Sequence, residues 1–344
     1  MLLDDALHLV RGTESLSPES TTSVIDLLMG GTVAPERGAE ILSAWSQRGE
    51  TPIELASVVE CLLTRSVKVP ISTRCFDLCG TGGSGLTRYN VSTTVAFMLA
   101  ALGVPVAKHG NRGSQRPNGS FDLLDALGVP FQLTPKQLAT LHQETGVCFL
   151  FARTMHPAVG AVAPMRKLAQ GRTIFNLAGP LANPCRPERQ VVGVAKETTA
   201  HVITGALTRL GITRAVVVRG HPGIDELSIT GESQAWDVAG GRIAPLRIQP
   251  AMTHDGLDHG DLPGGDAVDN AKVFHRLLSG EEIGPLRDMV IANAALALDC
   301  WEGRATLAGA ESLARAAEIL ASGAARAVFE RHRTLANALA TQAR

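Results

Sequence analysis

At 344 residues the chain can bury a large core, and its length alone suggests two domains. Hydrophobic residues make up 45%, with 35 glycines and 18 prolines, an ordinary balance for an α/β protein. The formal net charge of −1 argues against a broad basic surface for nucleic acid, the first ten residues carry acids where a secretory signal needs bases, and no apolar run reaches the ~18 residues of a membrane span.

Residues up to about Val69 read as helices only. Leu2 to Val10 is short, Glu19 to Met29 follows Ser17-Pro18, Ala34-Pro35 opens a third helix and Thr51-Pro52 a fourth. Apolar positions such as Ile41, Leu42 and Trp45, or Leu55, Val58, Val59 and Leu62, recur at 3.6-residue spacing, and proline sits at or near the first position of each later helix. This stretch reads as a packing module that ends at Val69-Pro70.

Strands and helices then alternate. Phe76, Leu78 and Cys79 make a short strand, Gly80, Gly82, Gly83 and Gly85 follow, and Asn90, Ser92 and Thr93 suit the cap of a helix running through Val95, Phe97 and Met98. A bare backbone turn ahead of a helix N-terminus is an anion site. Val104 to Lys108 is a second strand, ending in Lys108-His109-Gly110-Asn111-Arg112 and a loop with Gly113 and Gly119. Two anion loops at adjacent strand ends suit a ligand with two phosphate groups, although neither matches the dinucleotide fingerprint or the P-loop.

Further on come a helix at Ser120 to Leu127, another at Thr134 to Thr145, a strand at Val147 to Phe151, and a unit of strand Gln190 to Ala195, helix Thr198 to Leu210 and strand Ala215 to Arg219. This alternation predicts an α/β fold with a mainly parallel central sheet, beside a small all-helical N-terminal domain. Gly80, Lys108, Ala152 and Gly220 all lie just past strand ends, so they are expected to converge on one cleft. Gln249 to Asp269 reads as loop, and helices at Asn270 to Leu278, Pro285 to Trp301, Leu307 to Ala321 and Ala324 to Leu339 close the chain. Cys61, Cys75, Cys79, Cys148, Cys185 and Cys300 are scattered without a C-x-x-C pair, which points to buried thiols in a reducing cytoplasm.

Gly80-Thr81-Gly82-Gly83, Asn90-Val91-Ser92-Thr93 and Lys108-His109-Gly110-Asn111-Arg112 together resemble the anthranilate phosphoribosyltransferase family. The likeness continues in Phe151-Ala152, His156-Pro157-Ala158, the run from Arg172 to Pro184 and Asp225-Glu226, in order over nearly the whole chain. It implies a nucleoside phosphorylase/phosphoribosyltransferase-like architecture, with a helical domain over 1–70 that also takes in a segment near 166–186, and an α/β domain over 71–344. It implies transfer of the phosphoribosyl group of phosphoribosyl pyrophosphate (PRPP) to anthranilate, in tryptophan biosynthesis, by a cytoplasmic homodimer that uses Mg²⁺. Carried over residue by residue, Gly80, Gly82, Gly83, Ser84, Arg88, Asn90, Ser92, Thr93, Lys108, Arg112 and Ser120 would bind PRPP, and Gly80, Asn111, His156 and Arg166 would bind anthranilate. Ser92, Asp225 and Glu226 would hold Mg²⁺, and His109, Asn111 and Arg166 are the catalytic candidates.

The chemistry agrees with those residue types. Breaking the bond from C1 to pyrophosphate passes through an oxocarbenium-like state, so negative charge must be neutralised on the leaving group while a nucleophile is held behind C1. An arginine such as Arg166 grips a carboxylate in two-pronged fashion. Four places depart from the family pattern: Ser84 replaces an Asp, Arg88 a Thr, Gln115-Arg116 a Ser-Ser pair, and Asn118 a Ser or Cys. They make the phosphate end more positive. Alternative readings are a phosphoribosyltransferase for another aromatic acid, a nucleoside phosphorylase, which would cleave nucleosides with phosphate and no PRPP, and a nucleic-acid-binding relative, against which the near-neutral charge speaks.

Overall fold

A computed structural model describes residues 1–72, 74–83, 85, 89–113, 117–252, 254 and 256–342. The chain opens with four helices, α1 (Leu3–Arg11), α2 (Pro18–Met29), α3 (Pro35–Arg48) and α4 (Pro52–Thr64). Proline occupies the first turn of the last three, where no N–H is needed. Glu54 fastens this unit. It is fully buried, accepts from Leu16 N (2.7 Å), Trp45 Nε1 (3.0 Å) and Thr51 N (3.0 Å), and pairs with Arg48. A buried carboxylate is tolerable only with such a set of donors.

The α/β region follows with β1 (Phe76–Gly80), α5 (Val91–Ala101), β2 (Val106–Gly110), α6 (Ser120–Ala126), α7 (Pro135–Thr145) and β3 (Val147–Phe151). Short helices α8 (Ala152–Met155), α9 (Ala163–Leu168) and α10 (Ile174–Ala178) then cross back to the helical unit, where α9 packs on α3 and α10 on α4. Gly38 makes this possible, since a Cβ there would lie 2.3 Å from Met165 Sδ. The chain returns through β4 (Arg189–Gly193), α11 (Glu197–Arg209), β5 (Arg214–Arg219), β6 (Ser233–Ala239) and β7 (Arg242–Ile248). It closes with α12 (Ala267–Ser279), α13 (Pro285–Glu302), α14 (Ala310–Ala321) and α15 (Ala324–Gln342).

The seven strands form one sheet in the order β3-β2-β1-β4-β5-β6-β7. The first five are parallel, and β6 and β7 join antiparallel. Both faces of the parallel part are covered. In β5, Val216 and Val218 enter a core shared with α5, α12, α13 and α15, while Ala215 and Val217 enter a second core shared with α11 and the helical unit. A strand buried on both faces reads as an unbroken apolar run, as Ala215 to Val218 does.

The predicted elements up to β5 are present with boundaries shifted by a few residues. The β6–β7 hairpin is not among the predicted elements. Its exposed outer strand carries Arg242, Pro245 and Arg247, so it has no apolar run to announce it, and only the Gly240-Gly241 turn marks it. α14 starts at Ala310 rather than Leu307, behind Gly309. The cysteines of the described structure are all free, five of them buried, and burial pushes the thiols of Cys75, Cys79, Cys148, Cys185 and Cys300 well up, so they stay protonated. Among the described residues no helix is long and apolar enough to cross a membrane.

Candidate active site

From β1 the chain moves to β2 and β3 on one side of the sheet, then returns to β4 on the other. That reversal is a switch point, and it opens a crevice beyond the carboxyl ends of β1 and β4. The two strands finish side by side on Gly80 and Gly193. Asp225 fills the notch they leave. A Cβ on Gly80 would lie 2.1 Å from Asp225 Oδ2, and one on Gly193 would lie 1.7 Å from Asp225 O. Only glycine permits so close an approach. Asp225 Oδ2 also accepts from Gly82 N at 2.8 Å, which ties the carboxylate to the first glycine loop.

Around this notch lies a cleft of about 1020 Å³, and Gly80, Gly82, Asn90, Ser92, Asp225 and Glu226 line it from the first loop and the segment after β5. Gly83 belongs to the same loop with φ +90°, but faces Arg172: a Cβ on it would meet Nη1 at 2.0 Å. Arg172 donates to Gly82 O (2.8 Å) and to Thr81 O (2.5 Å), so it braces the loop from the segment after α9. Ser46 of α3 donates to Arg172 O at 2.7 Å and joins the helical unit to this brace. Thr93 is fully buried in α5 and does not line the cleft. Ser84, Arg88 and Gln115-Arg116 lie outside the described residues.

The second loop brings Lys108, His109, Asn111, Arg112, Asn118 and Ser120 to the same cleft. Asp122 closes it by accepting from Gly113 N (2.7 Å) and Gly119 N (2.8 Å). Arg112 turns toward α6, where its guanidinium pairs with Asp122 (3.0 Å) and with Asp125 and lies over the Phe131 ring. These pairs tie the second loop to α6. Lys108 is almost wholly buried and donates to Leu78 O at 2.8 Å. Burial pulls its ammonium below the ordinary range, while Asp77 and Glu226 oppose that shift. Asp77, buried under the loops, accepts from His109 N (3.1 Å) and Asn183 Nδ2 (2.9 Å), and burial raises its carboxyl to about 6.

His109, His156 and Arg166 line the same cleft. The two imidazoles meet edge to face with centroids 5.2 Å apart. His109 Nδ1 lies 3.1 Å from Gly179 O and His156 Nε2 lies 2.8 Å from Ala182 O, so those nitrogens carry the protons. The Nε2 of His109 is then a bare acceptor, with no hydrogen-bond partner among the described residues. Burial, aided by His156, pushes His109 down to about 3, which keeps it neutral at physiological pH. Arg166, on α9, lies with its Cζ 5.7 Å over the Phe175 ring, and its Nε is buried without a hydrogen-bond partner among the described residues. A planar anion would satisfy it.

Most of the predicted residues therefore reach one cleft. Asp77, Arg172, Asn183 and Asn270 support it and are not among the predicted residues. An acidic residue within the apolar run Phe76 to Cys79 is a usable signal for Asp77, because a buried strand carboxylate needs a reason. Arg172 and Asn270 offer no comparable local signal.

The donor chemistry suits a hard divalent cation. Asp225, Glu226 and the Ser92 hydroxyl are oxygen donors lining one cleft, and the glycine notch sets Asp225 beside the first loop. No group of three or more His, Cys, Asp or Glu able to hold a metal occurs among the described residues. Mg²⁺ needs no such cage, because it keeps several waters and takes one or two carboxylates plus substrate phosphate oxygens.

Residues 72–326 match the model of the glycosyl transferase family, a/b domain. Over 330 residues the chain is 38% identical to an anthranilate phosphoribosyltransferase of Desulfitobacterium hafniense, covering 96% of this chain and 97% of the relative. The crystal structure of the anthranilate phosphoribosyltransferase of Thermus thermophilus superposes with a TM-score of 0.88 at 38% identity, covering 97% of this chain and 99% of that one. The Saccharomyces cerevisiae enzyme, solved in complex with PRPP and Mg, shares the fold with a TM-score of 0.81 at 23% identity, over 93% of this chain and 92% of that one. Similar along nearly its whole length to such relatives, with a cleft at the switch point to match, the chain belongs to the anthranilate phosphoribosyltransferase family, the pentosyltransferases that move the phosphoribosyl group of PRPP onto anthranilate.

Proposed function

We propose that this cleft binds PRPP and anthranilate together and joins them as N-(5-phosphoribosyl)anthranilate, with release of pyrophosphate. The observation that carries the reading is that one cleft holds two glycine loops, a buried lysine, a carboxylate pair and an arginine whose Nε has no hydrogen-bond partner among the described residues. Gly80, Gly82 and Gly83 bring bare backbone to the phosphates, with Asn90, Ser92 and Ser120 as side-chain donors and Lys108 as positive charge. Ser84 and Arg88 belong to the same loop in sequence. Thr93, inside α5, and Arg112, beside its pairing with α6, complete the proposed PRPP set.

Asp225, Glu226 and Ser92 would hold Mg²⁺, whose contribution when bound is to neutralise charge on the departing pyrophosphate. Arg166 takes the anthranilate carboxylate, and Asn111 and His156 border the ring. His109, held neutral, accepts an N–H of the amine at its bare Nε2 and turns the nitrogen lone pair toward C1. The C1–N bond forms as the C1–O bond breaks, the electron pair leaves with pyrophosphate, and the amine's proton passes to solvent water. Positioning carries most of the work, because an aniline nitrogen is already a nucleophile.

The helical unit over 1–70, with the added segment near 166–186, acts as one domain against the α/β domain over 71–344. Two copies pair through the helical domain as a cytoplasmic homodimer. Support for the division comes from the shared core that joins Val162, Met165 and Phe175 to Trp45 and Leu55, although that core also runs on to β4 and β5. The test of the activity is incubation with PRPP, Mg²⁺ and a panel of aminobenzoates. Pyrophosphate should appear with anthranilate; its appearance only with another aromatic acid would replace the acceptor, and its absence throughout would overturn the reading.

A further inference from the structure

Asn90 occupies the N-cap of α5, yet its side chain makes no cap hydrogen bond. It is committed elsewhere. Asn90 Nδ2 donates to Asn118 O at 3.1 Å, across from the first loop to the second. Asn90 Oδ1 accepts from Asn270 Nδ2 at 2.9 Å, and the same Nδ2 donates to Asn118 Oδ1 at 2.6 Å. Asn270 is fully buried on α12, and its Oδ1 accepts from Gly265 N at 3.0 Å. One turn earlier, Ala267 N donates to Pro117 O at 3.1 Å.

We propose that Asn270 is a positioning residue that couples the two phosphate loops. Its amide has two N–H groups, and they are directed at one acceptor on each loop. A primary amide is the side chain suited to this, because it spans two acceptors while its own oxygen is anchored at the start of α12. Neither loop is regular structure, so their separation is not set by the sheet alone. α12 supplies the missing constraint from far along the chain, 152 positions beyond Asn118. Asn118 is also a departure from the resembled family's pattern, and its amide oxygen is the atom that reaches Asn270. Fixing the loops at one separation prepares them for a ligand that touches both, and lowers the ordering cost on binding.

This inference rests on the reading of the cleft as the PRPP site. The test is steady-state kinetics of wild type, Asn118→Ala, Asn270→Ala and the double variant, with PRPP and anthranilate varied in turn and a thermal melt for each. Asn118→Ala should raise KM for PRPP about 3- to 10-fold, the loss expected for one well-made hydrogen bond, and Asn270→Ala, which removes both loop bonds and the anchor to Gly265, by at least as much. KM for anthranilate should stay within about 2-fold, and the double variant should be no worse than the poorer single one, as expected for members of one coupled unit. Multiplying effects, equal losses for both substrates, or an unchanged PRPP KM would each overturn the coupling. Should Asn270→Ala fail to fold, Asn118→Ala decides alone by its PRPP KM, since it lies at a half-buried loop position. Wild type without turnover would instead bring down the PRPP reading, and the positioning role with it.

Discussion

Replacing Gly83 with valine puts the first loop under direct strain. Gly83 has φ +90°, where a β-branched residue costs on the order of 1–3 kcal/mol. The added Cβ would also sit 2.0 Å from Arg172 Nη1, so the guanidinium must leave. It would give up its bonds to Gly82 O and Thr81 O, charged hydrogen bonds of about 1.5–3 kcal/mol each when shielded and less at this partly exposed loop. The loop is thus displaced with a penalty on the order of 3–5 kcal/mol. If about 3 kcal/mol of that appears in transition-state binding, kcat/KM for PRPP falls roughly 100-fold. Gly83 is exposed and belongs to neither core, so the variant should still fold, with a melting temperature lowered by up to about 10 °C for a penalty of that size. The assay is initial rate against PRPP at saturating anthranilate, with circular dichroism melts alongside. Wild-type PRPP kinetics in a folded variant would remove this loop from the site.

Arg166→Ala should cost at least ~10-fold in kcat/KM for anthranilate with little change in PRPP affinity, from loss of a charged hydrogen bond; an equal loss for both substrates would make Arg166 structural. Glu226→Ala, and separately excess chelator on the wild type, should each lower turnover by about 100-fold or more if the carboxylate pair holds Mg²⁺; full activity in either would sink the metal assignment. His332 tests the pH arithmetic. Burial pushes it from 6.5 down to about 4, so the unfolded chain binds a proton first and stability falls as pH drops below 6.5. By pH 5 this removes about 2 kcal/mol that His332→Phe would not lose, so the gap between the two in urea melts at pH 7 and pH 5 should shift in the variant's favour by that amount. Asp77, raised to about 6, works in the opposite direction in both proteins and cancels in the comparison, and an unchanged gap would refute the assignment.

What the sequence determined was local. Proline at helix starts, the apolar runs of β1 to β5 and the glycine loops are set by short-range sterics and hydrogen bonding, and their spacing placed the strand ends that carry Gly80, Lys108 and the segment before Asp225. The motif residues were legible for the same reason, because a loop that binds phosphate must dispense with side chains where the backbone approaches. Tertiary structure decided what depends on packing between distant segments. Gly193 looks like any strand glycine in the sequence, and only the fold lodges Asp225 between it and Gly80. Arg112 reads as a phosphate ligand from its place in the loop, and only the fold shows that its guanidinium also pairs with Asp122 and Asp125 on the next helix. Asn90 reads as a helix cap, yet its side chain bonds to Asn118 O and to the fully buried Asn270, whose amide would otherwise lose a partner away from water. The neutrality of His109 likewise comes from burial beside His156, a property of the folded cleft that no window of sequence contains.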